Sequence, residues 1–269
     1  MLTQHPAIPK EVAKEIIRRL QRVEQEHSVR VLYACESGSR AWGFWSPDSD
    51  FDVRFIYARK EEWYLSFDVE RCRDVIEYPI IDEIDCGGWD IKKALYLFTR
   101  TNGALLEWLK SPIRYVEVGA FAKQLNALAD SAANELALCY HYSHMARRNA
   151  GDRLDKDKIR LKKYFYILRP LLAIRYIEAG LGVPPIEFLR LVEAVAPDGL
   201  RQEIIALTNL KRQSPELGVG DQNPLLNAFI RGEFERHDEM FAGVGRPNLA
   251  KQPEVRARLN EIFREAVRA

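Results

Sequence analysis

Apolar residues between Pro9 and His27 fall at Val12, Ile16, Ile17, Leu20 and Val23 with charged residues among them, and Pro9 stands where a helix can begin. The pattern predicts one amphipathic helix. The period then changes: Val29 to Cys35 and, after a stretch rich in Gly, Ser, Pro and Asp, Phe51 to Ala58 are β-branched and aromatic, which predicts two strands. Lys60 to Phe67 fits a short helix, Asp74 to Ile81 and Glu83 to Cys86 fit strands, and Ile91 to Arg100 fits a helix with Asp90 as its N-cap. Beyond Ala120 the pattern is helical, at about 120–149, 155–179, 186–195, 199–213, 224–241 and 253–268, broken at Gly180, Pro184, Pro185, Pro197, Pro215 and between Gly243 and Pro247. Residues 1–118 are therefore expected to mix strands and helices, and 119–269 to be all-helical.

The 269 residues are 47% apolar, enough for a substantial core. With 40 Lys and Arg against 39 Asp and Glu, the net charge of +1 sets up no whole-molecule field toward nucleic acid or membrane. The distribution is uneven, however: residues 1–110 carry −3, residues 111–269 carry +4, and Arg147 to Arg175 alone holds ten basic residues against three acidic ones. No charge-free stretch approaches the roughly 18 apolar residues of a bilayer span, and the first ten residues lack the basic and apolar regions of a secretory signal. A cytoplasmic protein with no membrane partner is expected. Cys35, Cys72, Cys86 and Cys139 are spaced too unevenly for a zinc site or a redox pair and read as reduced packing residues.

The segment between the first two strands carries the chemistry: Gly38-Ser39-Arg40-Ala41-Trp42-Gly43-Phe44-Trp45-Ser46-Pro47-Asp48-Ser49-Asp50-Phe51-Asp52-Val53. Asp50 and Asp52, two apart on a strand, leave the same face about 7 Å apart at the backbone and can converge on hard cations. Gly38 permits a tight turn after the first strand, and Ser39 with the backbone N–H groups that follow can hold a phosphate. Carboxylates opposite a phosphate cradle are the equipment of metal-assisted phosphoryl transfer. Two acids could complete the site. Asp85 alternates with Ile84 and Cys86 on a predicted strand, which fixes its direction, whereas Asp90 already has a capping role; Asp85 is the preferred third ligand.

These residues resemble the signature of the DNA polymerase β-type nucleotidyltransferase superfamily, Gly-Ser followed about ten residues later by Asp-x-Asp on a strand. Within it the chain is similar to the YcgL or RlaP-like group of predicted nucleotidyltransferases associated with RNA repair. The matching pieces are GSRAWGF with SDFDVRFIY, then GWDIKKAL, then Asn102 with LLEWLKSPIRY, and KKYFYILRPLLA with PPIEF, covering most of the chain and thinning after about residue 195. The resemblance implies an α+β protein: a polymerase β-like catalytic domain, with a small mixed sheet flanked by helices, at 1–118, and a helical substrate-binding domain at 119–269. It implies that Asp50, Asp52 and Asp85 are catalytic and bind metal, two Mg²⁺ ions or Mn²⁺ in their place. Gly38 and Ser39, with Arg40 and Ser49 beside them, would contact an NTP.

Taking 100° per residue, Lys158, Lys162, Tyr166 and Arg169 lie within about 80° of one another on a helix, while Leu161, Phe165, Leu168 and Leu172 cluster on another face. With Lys163, that stripe reads either as a solvated face whose long stems cover apolar surface or as a wall that meets triphosphate or a nucleic acid backbone, with Tyr166 available for stacking. His141 and His144 lack a third ligand and read as packing residues. Trp42, Phe44 and Trp45 read as core aromatics near a strand end, and Leu105, Leu106, Trp108 and Leu109 as packing between domains around Glu107. The expected activity is transfer of a nucleoside monophosphate from an NTP to a hydroxyl with release of pyrophosphate, the acceptor being an RNA end or, since the signature reads only the donor, a protein or a small molecule. The rival is a catalytically silent nucleotide- or RNA-binding module, which the intact Asp50 and Asp52 disfavour.

Overall fold

The structure, a computed structural model, describes residues 5–213, 218–242 and 252–268. In chain order its elements are α1 (Lys10–His27), β1 (Arg30–Glu36), α2 (Gly38–Trp42), β2 (Phe51–Ala58), α3 (Glu61–Tyr64), β3 (Val75–Glu77), β4 (Ile84–Asp90), α4 (Ile91–Thr99), α5 (Gly103–Leu109), β5 (Arg114–Glu117) and α6 (Phe121–Ala132). There follow α7 (Glu135–Ala150), β6 (Lys158–Arg160), α8 (Lys162–Glu178), α9 (Phe188–Val195), α10 (Asp198–Gln213), β7 (Val219–Asp221), α11 (Pro224–Phe241) and α12 (Pro253–Arg268). The described residues form two compact units, one of 5–41, 50–133 and 252–268, the other of 42–49, 134–213 and 218–242.

The first unit is built on a five-stranded sheet in the order β3-β4-β2-β1-β5. Only β2 and β4 run parallel, from Phe51 beside Ile84 to Tyr57 beside Asp90; the other pairs are antiparallel. Val53, Phe55, Tyr57, Tyr33 and Ala34 are each fully buried in the sheet, and Ile16, Leu20 and Val23 of α1 are the apolar stripe the spacing predicted. A stripe with a helical period packs on one face of a sheet because its charged face can stay in water. α4 packs on β2 and β4, and α12 returns to α4 and α6.

Several elements differ from the pattern-based expectation. The strand expected over 74–81 is only β3, and that over 83–86 runs on through Gly87 and Gly88 to Asp90. The helix expected over 120–149 is two, because the Asn134 side chain accepts the Ala137 amide and starts α7 afresh. The helix expected over 155–179 begins only at Lys162. Lys158–Arg160 is instead a strand paired with Val219–Asp221, so Lys158 does not belong to the helical stripe. Leu105, Leu106, Trp108 and Leu109 pack inside the first unit, where α5 meets α4, α6 and β1. All four cysteines are free thiols, and no helix among the described residues is long and apolar enough to cross a membrane.

Candidate active site

The parallel pairing of β2 and β4 places Asp52 in register with Asp85 and Arg54 with Gly87. Neighbouring strands lie about 4.8 Å apart, so two carboxylates from different parts of the chain stand side by side on one face. Asp50, one residue ahead of β2, is exposed and near enough for its charge to act on Asp52. Burial first, and then the Asp85 and Asp50 charges, push the Asp52 pKa up against the opposing pull of Arg54. The same register puts Asp90 beside Tyr57, five positions or about 17 Å further along. There Asp90 caps α4 through the Lys92 amide at 2.8 Å, accepts the Tyr64 hydroxyl at 3.0 Å, and lines a separate cavity of about 560 Å³ with Trp63 and Tyr96.

Gly38 turns the chain out of β1 with φ +57°, a region that favours glycine. A Cβ there would lie 1.9 Å from Oδ2 of Asp52, so the missing side chain is what lets the turn close against the carboxylate. Ser39 follows and is buried. Arg40 is also enclosed: its guanidinium donates to the Ala7 carbonyl at 2.6 Å and the Asp50 carbonyl at 3.1 Å and lies 3.8 Å from the centre of the Phe51 ring. It braces the backbone that presents Asp50. Ser49 closes a turn with Ser46, accepting the Ser46 amide at 3.0 Å.

Two groups escaped the sequence reading. Glu36, the last residue of β1, is fully buried; its Oε1 accepts the Asp52 amide at 2.8 Å and its Oε2 the Tyr115 hydroxyl at 2.5 Å. Burial raises its pKa to about 7 despite those bonds. An acid directly after the apolar run from Val31 to Cys35 was the available signal. Arg54 donates to Oδ2 of Asp85 at 2.6 Å and to Oδ1 of Asp52 at 3.4 Å. The alternation Asp50, Asp52, Arg54 already placed it on the carboxylate face. Among the described residues no three His, Cys, Asp or Glu side chains converge as a finished metal site. The donor chemistry nonetheless suits a hard cation, because carboxylate oxygens from two strands stand side by side and already neutralise one positive group, the guanidinium of Arg54.

The remaining sequence candidates lie in the second unit. Lys162, Lys163 and Tyr166 open α8 and are partly exposed, with the Lys163 ammonium 5.3 Å from the Tyr166 ring. Burial, then the charges of Arg153, Lys162 and Arg160, depress the Lys163 pKa, so these cations crowd one another. Arg169, by contrast, is 1% exposed, donates to the Ile186 carbonyl at 2.9 Å and stacks over Trp42 at 4.6 Å. Phe44 is enclosed by Phe165, Phe188 and Tyr166.

The sequence model of a family described as "RlaP: RNA repair pathway DNA polymerase beta family" matches residues 12–265. An uncharacterized protein of Bacillus subtilis (strain 168), YcgL, is 44% identical over 255 residues, which make up 94% of this chain and 96% of that protein. A solved nucleotidyltransferase-like protein from Exiguobacterium sibiricum 255-15 aligns with 94% of this chain and 90% of its own at 12% identity, with a TM-score of 0.28.

Proposed function

This chain belongs to the RNA repair pathway DNA polymerase beta family, and we propose that it is a metal-dependent nucleotidyltransferase that moves a nucleoside monophosphate from an NTP to a hydroxyl at an RNA end, releasing pyrophosphate. The observation that carries the reading is the register of Asp52 with Asp85 beneath the bare Gly38 turn. Two acids held side by side by separate strands cost stability unless a cation neutralises them, a part that Arg54 takes without metal.

In this reading Asp50, Asp52 and Asp85 hold Mg²⁺, which would supply charge stabilisation for the attacking and leaving oxygens. In this reading the Gly38–Ser39 turn lies against the triphosphate, and the missing Cβ lets the turn close on the Asp52 carboxylate. Arg40 and Glu36 fix the backbone on either side of Phe51, the first through the Asp50 carbonyl and the second through the Asp52 amide. During transfer the acceptor hydroxyl gives up its proton to solvent as its oxygen bonds the α-phosphorus, and the bond from that phosphorus to the pyrophosphate oxygen breaks, the electron pair leaving with pyrophosphate. The family's description and the crowded cations of Arg153, Arg160, Lys162 and Lys163 support RNA as the acceptor.

The test is to incubate the purified protein with each labelled NTP, Mg²⁺ and pooled RNA and to ask what becomes labelled. Label on RNA, absent with Asp52→Asn, is expected; label on protein or a small molecule instead would replace the acceptor, and no label with any NTP would remove the enzymatic reading.

A further inference from the structure

Arg54 bridges Asp52 and Asp85, the two carboxylates that the metal-binding reading pairs. Its side chain runs along β2 toward the Asp52 end and lies over Gly87, the residue paired with it on β4. A Cβ on Gly87 would stand 3.7 Å from Nη1, an ordinary contact distance, so the guanidinium lies directly against the sheet at this position. Four hydrogen bonds fix it there. Nη1 donates to the carbonyls of Val53 and Asp85, each at 3.1 Å, and Nη2 to Oδ2 of Asp85 at 2.6 Å and Oδ1 of Asp52 at 3.4 Å. All three side chains are partly enclosed, at 22% exposure for Arg54, 30% for Asp52 and 31% for Asp85, so solvent screens the contact only in part. The two carboxylates, left alone on adjacent strands, would repel each other.

We propose that Arg54 is a positioning residue that competes with the divalent cation: it holds Asp52 and Asp85 together while no metal is bound, and it must leave them when metal enters. This rests on the metal-binding reading of Asp52 and Asp85. The guanidinium makes planar, directional bonds to both acids at once, which a lysine ammonium cannot reproduce while also reaching two backbone carbonyls. Its displacement is therefore part of the free energy of metal binding. Metal without nucleotide should bind weakly, and a protein lacking the guanidinium should bind it more tightly.

The sign separates competition from ordinary structural support, because a residue that merely props up the ligands weakens metal binding when removed. Mn²⁺ is titrated into the full chain without nucleotide, and the free hexaaqua ion is followed by electron paramagnetic resonance for wild type, Arg54→Met, Arg54→Lys and Asp52→Asn. Arg54→Met is expected to bind Mn²⁺ at least about tenfold more tightly than wild type, a difference of about 1.4 kcal/mol. Its metal-free melting temperature should be lower and should recover when Mn²⁺ is added. Arg54→Lys should fall between, and serves as the informative variant should Arg54→Met not fold. Equal or weaker affinity in the Arg54 variants, with Asp52→Asn abolishing binding, would overturn the competition and leave the metal site standing. Mn²⁺ binding that is absent from wild type and both Arg54 variants, or that survives in Asp52→Asn, would overturn the metal site and the proposal together.

Discussion

Replacing Glu36 by Gln should remove a pH dependence that this single buried acid imposes on stability. Burial and the nearby Asp52 charge outweigh the hydrogen bonds from Tyr115 and the Asp52 amide, and move the pKa from an ordinary 4.5 up to about 7. Between those two values the folded chain keeps a proton that the unfolded chain releases, so stability falls as pH rises through the window. Below pH 4.5 both states are protonated and the penalty is absent; above pH 7 it is complete, at about 3 kcal/mol. Between pH 5 and pH 8 the penalty grows by about 2.5 kcal/mol. Gln keeps the size and both contacts, accepting the Asp52 amide through Oε1 and donating to the Tyr115 oxygen through Nε2, but never ionises. Urea unfolding of both chains from about pH 5 to pH 8, with chelator present, isolates the effect from every other titrating group. The unfolding free energy of Glu36→Gln minus that of wild type should climb by about 2.5 kcal/mol across the range. A difference that stays flat, with m-values unchanged, would refute the assignment of a raised pKa to this carboxyl.

Asp50→Asn and Asp52→Asn should each lower nucleotidyl transfer by at least about 10³-fold with the fold intact, by circular dichroism, since several kcal/mol of transition-state stabilisation go with the charge. Asp85→Asn should be as severe, whereas Asp90→Asn should be mild, because Asn caps α4 about as well as Asp; the reverse ranking in rate assays would move the third ligand. Gly38→Ala should cost activity well beyond its loss of melting temperature, as a Cβ 1.9 Å from Asp52 Oδ2 must displace the carboxylate, and an unchanged rate would contradict that packing. Lys162→Gln and Lys163→Gln should each flatten the dependence of log K for single-stranded RNA on log salt by about 0.7, while Arg169→Gln should mainly lower the melting temperature, its guanidinium being held by Ile186 and Trp42; equal slopes for wild type and both Lys variants would leave α8 a solvated face.

Elements whose pattern is local could be read from the sequence. α1 and β2 carry their own period, and each forms where it was expected. The N-cap of α4 was legible too, because a capping Asp acts on an amide two residues away. What failed depends on distant partners. Lys158–Arg160 has no strong strand pattern and becomes one only through Val219–Asp221, about sixty residues later. The helical period read across it belongs to α8 alone. α12, the last helix of a run that looks uniformly helical, packs on α4 and α6 of the sheet-bearing unit, a choice set by tertiary packing and invisible to periodicity.

The candidate site divides along the same line. Gly38, Asp50 and Asp52 lie within a fifteen-residue stretch, so their spacing alone announces a turn and a same-face acid pair. The sequence narrows the third acid to Asp85 or Asp90, five apart, and does not contain the parallel register of β2 with β4, which sets Asp85 beside Asp52 and Asp90 beside Tyr57. A one-residue slip would carry Asp85 to the opposite face. That register also brings Arg54 over Gly87, an arginine and a glycine thirty-three residues apart whose relation no local motif contains. Glu36 depends on β1 lying beside both β2 and β5, since its two partners, the Asp52 amide and the Tyr115 hydroxyl, come one from each. The acids that announce the chemistry are thus local in sequence. The groups that hold them in place, Arg54 in front and Glu36 behind, exist only once the sheet has formed, so substitutions at these two positions test the reasoning from structure apart from the reasoning from motif.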